Sequence, residues 1–143
     1  MLQSCASPEC TVFVVDDDDG AREALGCLLE AEGFGVRTYS SPRGVLGETT
    51  VSDHSCLVTD YHMPGMDGLE LVDELRRRGN SIPAILLTGD PNQHVRERAA
   101  AARVPVIEKL GSADSVVECI QKVVKAQVNQ GSQNLTRSRN SRH

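Results

Sequence analysis

The sequence predicts an α/β fold with a five-stranded parallel sheet in the order 2-1-3-4-5 and helices on both faces. Short apolar runs alternate with longer segments of helical period in five repeats, which is typical of a parallel sheet. Right-handed crossovers then leave few topologies. Pro105 falls in the predicted fifth strand and cannot donate to a ladder, which favours an edge position for that strand, as this order requires.

The first four elements are predicted from apolar runs and from end signals. Thr11–Val15 is a continuous apolar run, as expected for a strand that is buried on both faces. Gly20–Glu32 places aliphatic side chains on one helical face, and Gly33 is expected to end this helix. Val36–Tyr39 is a short second strand. Pro42–Glu48 is a short helix that begins with proline, a residue suited to a first turn.

The middle of the chain gives the third and fourth strands with a helix between them. Cys56–Thr59 is an apolar run and is predicted as the third strand. Leu69–Arg78 has helical period and is predicted as a helix whose Leu71, Val72 and Leu75 face inward. Ala84–Thr88 is the fourth strand, and Pro83 stands just ahead of it.

The last three elements continue the alternation. Asn92–Arg103 is predicted as a helix, Val104–Glu108 as the fifth strand and Ala113–Gln127 as the final helix. The inward face of the final helix carries valines and an isoleucine at helical spacing.

Composition favours one globular domain. The chain has 143 residues, of which 39% are hydrophobic and 24% are charged. No apolar stretch approaches the roughly 20 residues that span a bilayer, and Met1–Glu9 lacks the features of a signal peptide. The five cysteines are scattered without metal-ligand spacing, which predicts a reduced, cytoplasmic chain. Cys27, Cys56 and Cys119 are expected to be small core residues.

Charge is distributed unevenly along the chain. Residues 128–143 carry three arginines and no acid, so the net charge of −5 divides into +3 for this tail and −8 for residues 1–127. The acidic body argues against direct nucleic-acid binding. The tail is poor in apolar residues and is predicted to be disordered, with an anion-binding arm or the start of a linker as alternatives. Residues 1–10 are expected to be an N-terminal extension before a folded domain at 11–127.

Carboxylates stand at the ends of two predicted strands. Asp16 and Asp17 follow the first strand, and Asp60 ends the third strand just before a Pro/Gly turn. In the predicted order these strands are neighbours, so the three side chains meet at the switch point, where open α/β sheets bind ligands. Such a pocket suits a hard divalent cation and phosphoryl chemistry.

Four motifs in this order resemble the receiver domain of two-component response regulators. They are Asp16-Asp17 after the first strand, Asp60 followed by Met63-Pro64-Gly65-Met66-Asp67-Gly68, Thr88-Gly89 after the fourth strand, and Lys109 after the fifth. The resemblance covers about residues 11–127 and implies a flavodoxin-like fold. The sequence motif around Asp60 most resembles a subclass whose members often carry a C-terminal helix-turn-helix domain. We do not expect such a domain within this sequence.

The resemblance implies a magnesium site and a phosphoacceptor. Asp60 would accept the phosphoryl group as an aspartyl phosphate. Asp17 would bind Mg²⁺ directly and Asp16 through water, and the backbone carbonyl of His62 would be another ligand. The donor set suits this ion, because Mg²⁺ prefers oxygen ligands and relieves the repulsion among close carboxylates.

The resemblance also implies the rest of the site and the partners. Lys109 would pair with one phosphoryl oxygen, and the Thr88 hydroxyl would donate to another. A sensor histidine kinase or a phosphotransfer protein would supply the phosphoryl group, and an unknown downstream protein would receive the signal. A phosphorylation-dependent homodimer is compatible with this scheme. The chain would not be an enzyme beyond self-catalysed phosphoryl transfer and autodephosphorylation.

Two positions depart from the family pattern, and two others bear on the lifetime of the phosphoryl group. Leu110 follows Lys109 where the family has a cis proline, so a trans bond and a displaced Lys109 are expected. Val106 stands where the family usually has an aromatic residue, and its short, stiff side chain cannot make the inward rotation that this aromatic residue makes in the family.

His62 and Asp90 would flank the path of the attacking water, either as an ion pair or separately solvated.

Two other functions stay open at this point. A receiver-shaped scaffold that binds a partner without phosphorylation fits the departures at Val106 and Leu110. A phosphatase similar to the haloacid dehalogenases fits the apolar run Val12–Val15 with the acids that follow it. Asp16 would then be the nucleophile and Asp18 the general acid, although the later acidic pair of that family is missing.

Overall fold

Five parallel strands form one sheet in the computed structural model, which describes residues 10–48, 54–109 and 114–126. The strands are β1 (Thr11–Val15), β2 (Gly35–Tyr39), β3 (Ser55–Asp60), β4 (Ala84–Thr88) and β5 (Val106–Glu108). The helices are α1 (Asp19–Ala31), α2 (Pro42–Leu46), α3 (Gly68–Arg77), α4 (Gln93–Ala101) and α5 (residues 114–126). The predicted extension before residue 10, Leu110 and the predicted tail at 128–143 lie outside the described residues.

The strand order β2-β1-β3-β4-β5 confirms the predicted order. Each neighbouring pair is parallel, and β1 lies between β2 and β3. β5 is an edge strand, but it begins at Val106, so the prediction that Pro105 lies inside it was wrong. Pro105 lacks only the donor. Its carbonyl oxygen still accepts a hydrogen bond from the Leu86 N–H at 2.9 Å, just ahead of the strand.

Helices cover both faces of the sheet, as predicted, because alternate strand residues point to opposite faces. The α3–α4 core lies on one face and includes Phe13, Leu57, Leu71, Leu75, Leu86 and Val95. The α1–α5 core lies on the other face and includes Val12, Leu29, Val58, Ile85, Val116 and Ile120. The sheet therefore separates α1 and α5 from α3 and α4.

The cysteines correct one expectation about the core. Cys56 is buried and Cys119 is partly buried, but Cys27 is exposed. Cys27 stands two positions from both Leu25 and Leu29, which pack against the α1–α5 core. Two positions on a helix correspond to about 200° of rotation, so Cys27 faces solvent.

Side-chain caps set the helix ends. Asp18, Asp67 and Asn92 cap α1, α3 and α4, and each side chain accepts a hydrogen bond from a backbone N–H of the first turn. Gly33 follows α1 with a φ of 98°, a left-handed conformation that suits glycine, which confirms the prediction that Gly33 ends this helix. α4 is shorter than predicted, because Asn92 is its cap and the chain leaves the helix before Arg103, whose φ is 59°.

Candidate functional site

Asp16, Asp17 and Asp60 meet at the carboxyl ends of β1 and β3, which are neighbouring parallel strands. Each carboxylate offers an oxygen that lies within 4.8 Å of an oxygen of the other two. Asp16 and Asp60 are only 3% and 6% exposed, whereas Asp17 is open to solvent. The fold therefore brings together the three carboxylates that were singled out in the sequence.

Lys109 reaches the same site from the end of β5. Its Nζ lies 3.0 Å from Asp16 Oδ2 and 3.4 Å from Asp60 Oδ2. Its backbone N–H donates to the Thr88 carbonyl oxygen at 2.8 Å, which continues the β4–β5 pairing by one residue. The displacement of Lys109 that was expected from Leu110 is therefore not observed, because the lysine ion-pairs with both buried carboxylates.

The charges of the site do not balance. Burial raises the pKa of the Asp60 carboxyl above its ordinary value, the Asp16 carboxylate raises it further, and Lys109 acts in the opposite direction. Partial burial lowers the pKa of the Lys109 ammonium, but its hydrogen bonds and ion pairs with Asp16 and Asp60 outweigh burial and raise it overall. Within the described residues, the only ion pairs of this carboxylate cluster are with Lys109. The remaining negative charge on oxygen donors suits a hard divalent cation.

Thr88 ends β4 at the same edge of the sheet. It is fully buried, and its Oγ1 accepts a hydrogen bond from the Asp90 N–H at 3.1 Å. The hydroxyl proton is not used in this bond, so Thr88 keeps a donor for a ligand. The same bond shapes the turn that leads into α4.

His62 and Asp90 do not form an ion pair with each other among the described residues. His62 is exposed and packs edge-on against Tyr61, with ring centroids 4.7 Å apart. The Asp90 carboxylate instead accepts a long hydrogen bond of 3.4 Å from the Asn92 side chain. An open groove of about 440 Å³ lies beside Asp17 and is lined by His62 and its neighbours.

One contact beside the site was missed in the sequence. Arg98 of α4 donates through Nη1 to the Tyr61 hydroxyl at 2.8 Å and to Asp67 Oδ2 at 2.9 Å. We call this group of Arg98, Tyr61 and Asp67 the Arg98 bridge. Asp67 has two roles, because it caps α3 through one carboxylate oxygen and holds this arginine through the other. Separations of 37 and 31 residues leave no periodic signal, so only a tyrosine at the end of a buried strand hints at the contact.

The sequence matches one protein family over most of its length. The family model for the response regulator receiver domain matches residues 12–127. The transcriptional regulatory protein FixJ of Azorhizobium caulinodans is 40% identical over 103 residues, which are 72% of this chain and 45% of that protein. The C4-dicarboxylate transport transcriptional regulatory protein DctR of Rhodobacter capsulatus is 38% identical over 81 residues, 55% of this chain and 41% of that protein. The chain spans about half the length of the curated relatives it matches.

Solved structures agree with this match. The crystal structure of FixJ-N is 31% identical, with a TM-score of 0.75 over 81% of this chain and 94% of that one. The response regulator StyR is 32% identical, with a TM-score of 0.78 over 92% of this chain and 67% of that one. None of the described helices is both long enough and apolar enough to cross a bilayer.

Proposed function

Because the chain belongs to the family of response regulator receiver domains of two-component systems, we propose that it accepts a phosphoryl group on the Asp60 carboxylate. The observation that carries this proposal is the buried Asp60 carboxylate, which lies beside two further carboxylates and 3.4 Å from the Lys109 ammonium. Phosphoryl transfer depends mainly on positioning and on charge stabilisation, and this arrangement offers both.

Mg²⁺ is the cofactor that fits this donor set. Asp16, Asp17 and Asp60 would hold it, together with the backbone carbonyl oxygen of His62. Among the residues that the structure describes, these three carboxylates have one ammonium partner, which leaves an excess of negative charge on oxygen ligands, the chemistry that Mg²⁺ prefers. When bound, the ion supplies neutralising charge and Lewis acidity.

The phosphoryl transfer would proceed by nucleophilic attack of Asp60. One Asp60 oxygen attacks the phosphorus atom of a phosphohistidine, and the O–P bond forms as the N–P bond breaks. The bonding electron pair leaves with the imidazole, which takes up a proton. Lys109 then pairs with one phosphoryl oxygen and the Thr88 hydroxyl donates to another, so both residues stabilise the charge of the product.

The partners follow from the same proposal. A sensor histidine kinase or a phosphotransfer protein would be the donor, and a downstream protein would receive the signal, in the cytoplasm. Several relatives are named as transcriptional regulatory proteins. We propose that residues 11–127 act as the receiver of such a signalling protein, without direct contact with nucleic acid.

Labelling with a small-molecule acyl phosphate tests the proposal. The protein is incubated with the donor and Mg²⁺, and intact mass is measured for the wild type, Asp60→Asn and Asp16→Asn. We expect one hydroxylamine-labile phosphoryl group on the wild type and none on Asp60→Asn. Labelling of Asp60→Asn at the wild-type level would exclude Asp60 as the acceptor.

One observation favours a second function, a receiver-shaped scaffold that is not phosphorylated. Val106 is only partly buried and brings no aromatic ring to β5. A wild-type protein that takes up no label would support this scaffold. The phosphatase alternative loses support, because Oδ1 of Asp18, its general acid, accepts from two N–H groups as the cap of α1.

A further inference from the structure

We infer that Arg98 is a positioning residue for the Asp60 site, acting from α4 through Tyr61. This inference rests on the proposed function, because it assigns to Arg98 a part in the binding of Mg²⁺ and the phosphoryl group. Tyr61 lies directly between Asp60 and His62, the two residues that would supply a carboxylate and a carbonyl oxygen. A movement of the Tyr61 backbone would therefore shift both Asp60 and His62.

Tyr61 is fixed at its backbone and at its side chain. Its N–H donates to the Leu87 carbonyl oxygen at 2.8 Å, and its own carbonyl oxygen accepts from the Gly68 N–H at 3.0 Å. The side chain is buried in the α3–α4 core, and the whole residue is 8% exposed. Within the described part of the chain, Arg98 is the hydrogen-bond partner of the hydroxyl, and a part-buried polar group that loses its partner is destabilising.

Arg98 joins three elements at one point. Its Nη1 contacts the Tyr61 hydroxyl and Asp67 Oδ2, and the guanidinium carbon lies 5.8 Å from the centre of the Tyr61 ring. The side chains of Arg98 and Asp67 are 35% and 24% exposed, so water screens this ion pair only in part. The other oxygen of Asp67 is already engaged with the first turn of α3. Arg98 therefore links α4 to the chain on both sides of the turn that follows Asp60.

Few contacts besides this link hold α4 among the described residues; one is Arg76 of α3, whose Nη1 donates to the carbonyl oxygen of Ala102 at the end of the helix. Only Val95 and Ala99 of this helix are buried. A movement of α4 away from the turn would break both Arg98 hydrogen bonds. The Tyr61 backbone would keep its bonds to Leu87 and Gly68, but the side chain would lose its link to α4, so the backbone between Asp60 and His62 would be held less tightly. By reciprocal linkage, a ligand that fixes this backbone must also favour the docked position of α4.

Mg²⁺ binding in the full chain tests the inference. The variants are Tyr61→Phe, which removes only the hydroxyl, Arg98→Gln, and the double variant. Arg96→Gln is the matched control, because Arg96 belongs to the same helix but donates to the Pro91 carbonyl oxygen. Calorimetric titration gives the Mg²⁺ dissociation constant, and amide hydrogen exchange of residues 93–101 is followed with and without Mg²⁺.

We expect Tyr61→Phe and Arg98→Gln each to weaken Mg²⁺ binding on the order of 5-fold, as the loss of one part-buried hydrogen bond implies. The double variant should lose little more than either single variant, because both changes break one linked unit. Arg96→Gln should bind as the wild type does. In the wild type, Mg²⁺ should slow exchange in α4, and this protection should disappear in Tyr61→Phe.

Two results would overturn the inference. One is an unchanged Mg²⁺ affinity in Tyr61→Phe, which needs no large rearrangement and decides the matter even if Arg98→Gln fails to fold. The other is a pair of losses that simply add in the double variant. Failure of the proposed function looks different, because the wild type itself would then bind no Mg²⁺ or take up no label, and the inference would fall with it.

Discussion

Asp17 differs from the other two carboxylates of the site in its exposure and in its partners. Asp16 and Asp60 are buried beside Lys109, whereas Asp17 is exposed and has no ion pair among the described residues. Asp17 therefore contributes repulsion to the metal-free protein without a compensating attraction. Charges of equal sign about 4 Å apart repel by several kcal/mol at an effective dielectric near 20, and exposure reduces this value.

Asp17→Asn should therefore stabilise the metal-free protein, by on the order of 1 kcal/mol after screening by solvent. The same change should weaken the stabilisation that Mg²⁺ gives, because a ligand is lost. Urea unfolding in chelator and in millimolar Mg²⁺ measures both effects, with Glu23→Gln on the exposed face of α1 as the charge control. Equal responses of the two variants would contradict an assembled acidic site.

Gly68 packs so closely against the backbone of Asp60 that a larger residue does not fit at this position. A Cβ at this position would lie 2.5 Å from the Asp60 carbonyl oxygen and 2.8 Å from Leu86 Cδ1. We expect Gly68→Ala to lower the free energy of unfolding by about 1–3 kcal/mol and to slow labelling of Asp60. At Gly89 a Cβ would meet nothing within 4 Å, so Gly89→Ala is the matched control and should unfold as the wild type does. Similar losses in both variants would show that the contact with Asp60 is not the cause.

The sequence predicts these site residues to different degrees, for a physical reason. Asp16, Asp17 and Asp60 were found because strand ends are local signals and parallel neighbours bring them to one edge. The Arg98 bridge was not found because its members meet only after α4 packs against the sheet. The closeness of Lys109 to Asp16 and Asp60 could not be predicted from the residues alone either, since it depends on how the chain leaves β5.

At the scale of elements, the period of apolar residues predicts which strands and helices exist, but it predicts less well where each one begins and ends. All strands and helices that the structure describes correspond to predicted segments. β1 and β4 have the predicted bounds, and the other described ends differ by at most two residues. At the start of α4, for example, the sequence does not distinguish the cap residue Asn92 from the first residue of the helix. β5 is three residues long instead of five, because Val104 and Pro105 approach β4 as a loop before regular pairing begins.

Substitution of two helical glycines by alanine should change the free energy of unfolding in opposite directions. Gly26 is buried in the middle of α1, and an added Cβ would meet Thr38 Cγ2 at an ordinary 3.4 Å. Gly26→Ala should therefore raise the free energy of unfolding by about 0.5–1 kcal/mol. In α2, an added Cβ at Gly44 would lie 2.6 Å from the Tyr39 ring, whose hydroxyl is held by Glu48 at 2.8 Å. Gly44→Ala should lower stability, and thermal unfolding of both variants in one buffer checks the sign of each change.

At the scale of the whole molecule, the sheet divides the helices into two groups with different access to the site. Tyr61, Val95 and Ala99 belong to the α3–α4 core, and Val106 packs against it. α1 and α5 pack on the opposite face. A signal that leaves Asp60 through Tyr61 and Arg98 therefore reaches α4 first.

Amide chemical shifts with a phosphoryl mimic should follow this division. With Mg²⁺ and beryllofluoride, we expect changes across residues 88–101, because both the Thr88 turn and the Arg98 bridge lead there. Changes in α1 and α5 should be small. Changes limited to the immediate neighbours of Asp60 would favour the scaffold function.

Substitution of Val106 tests whether these shift changes in residues 88–101 need an aromatic ring on β5. The chain's four Phe and Tyr residues are Phe13, Phe34, Tyr39 and Tyr61, so no such ring lies on β4, β5 or the helices that follow them.

A shift of a two-state equilibrium from 1:99 to 99:1 needs about 5.5 kcal/mol of differential binding, which contacts of the phosphoryl group with Thr88 and Lys109 would supply in part. Because the Arg98 bridge already joins α4 to the backbone beside Asp60, we expect Val106→Tyr to leave the shift changes at residues 88–101 close to those of the wild type. Val106→Leu controls for packing in the α3–α4 core, and Tyr61→Phe should reduce the changes. A large enhancement in Val106→Tyr alone would mean that the missing ring, and not the Arg98 bridge, limits how far the state of Asp60 reaches into α4.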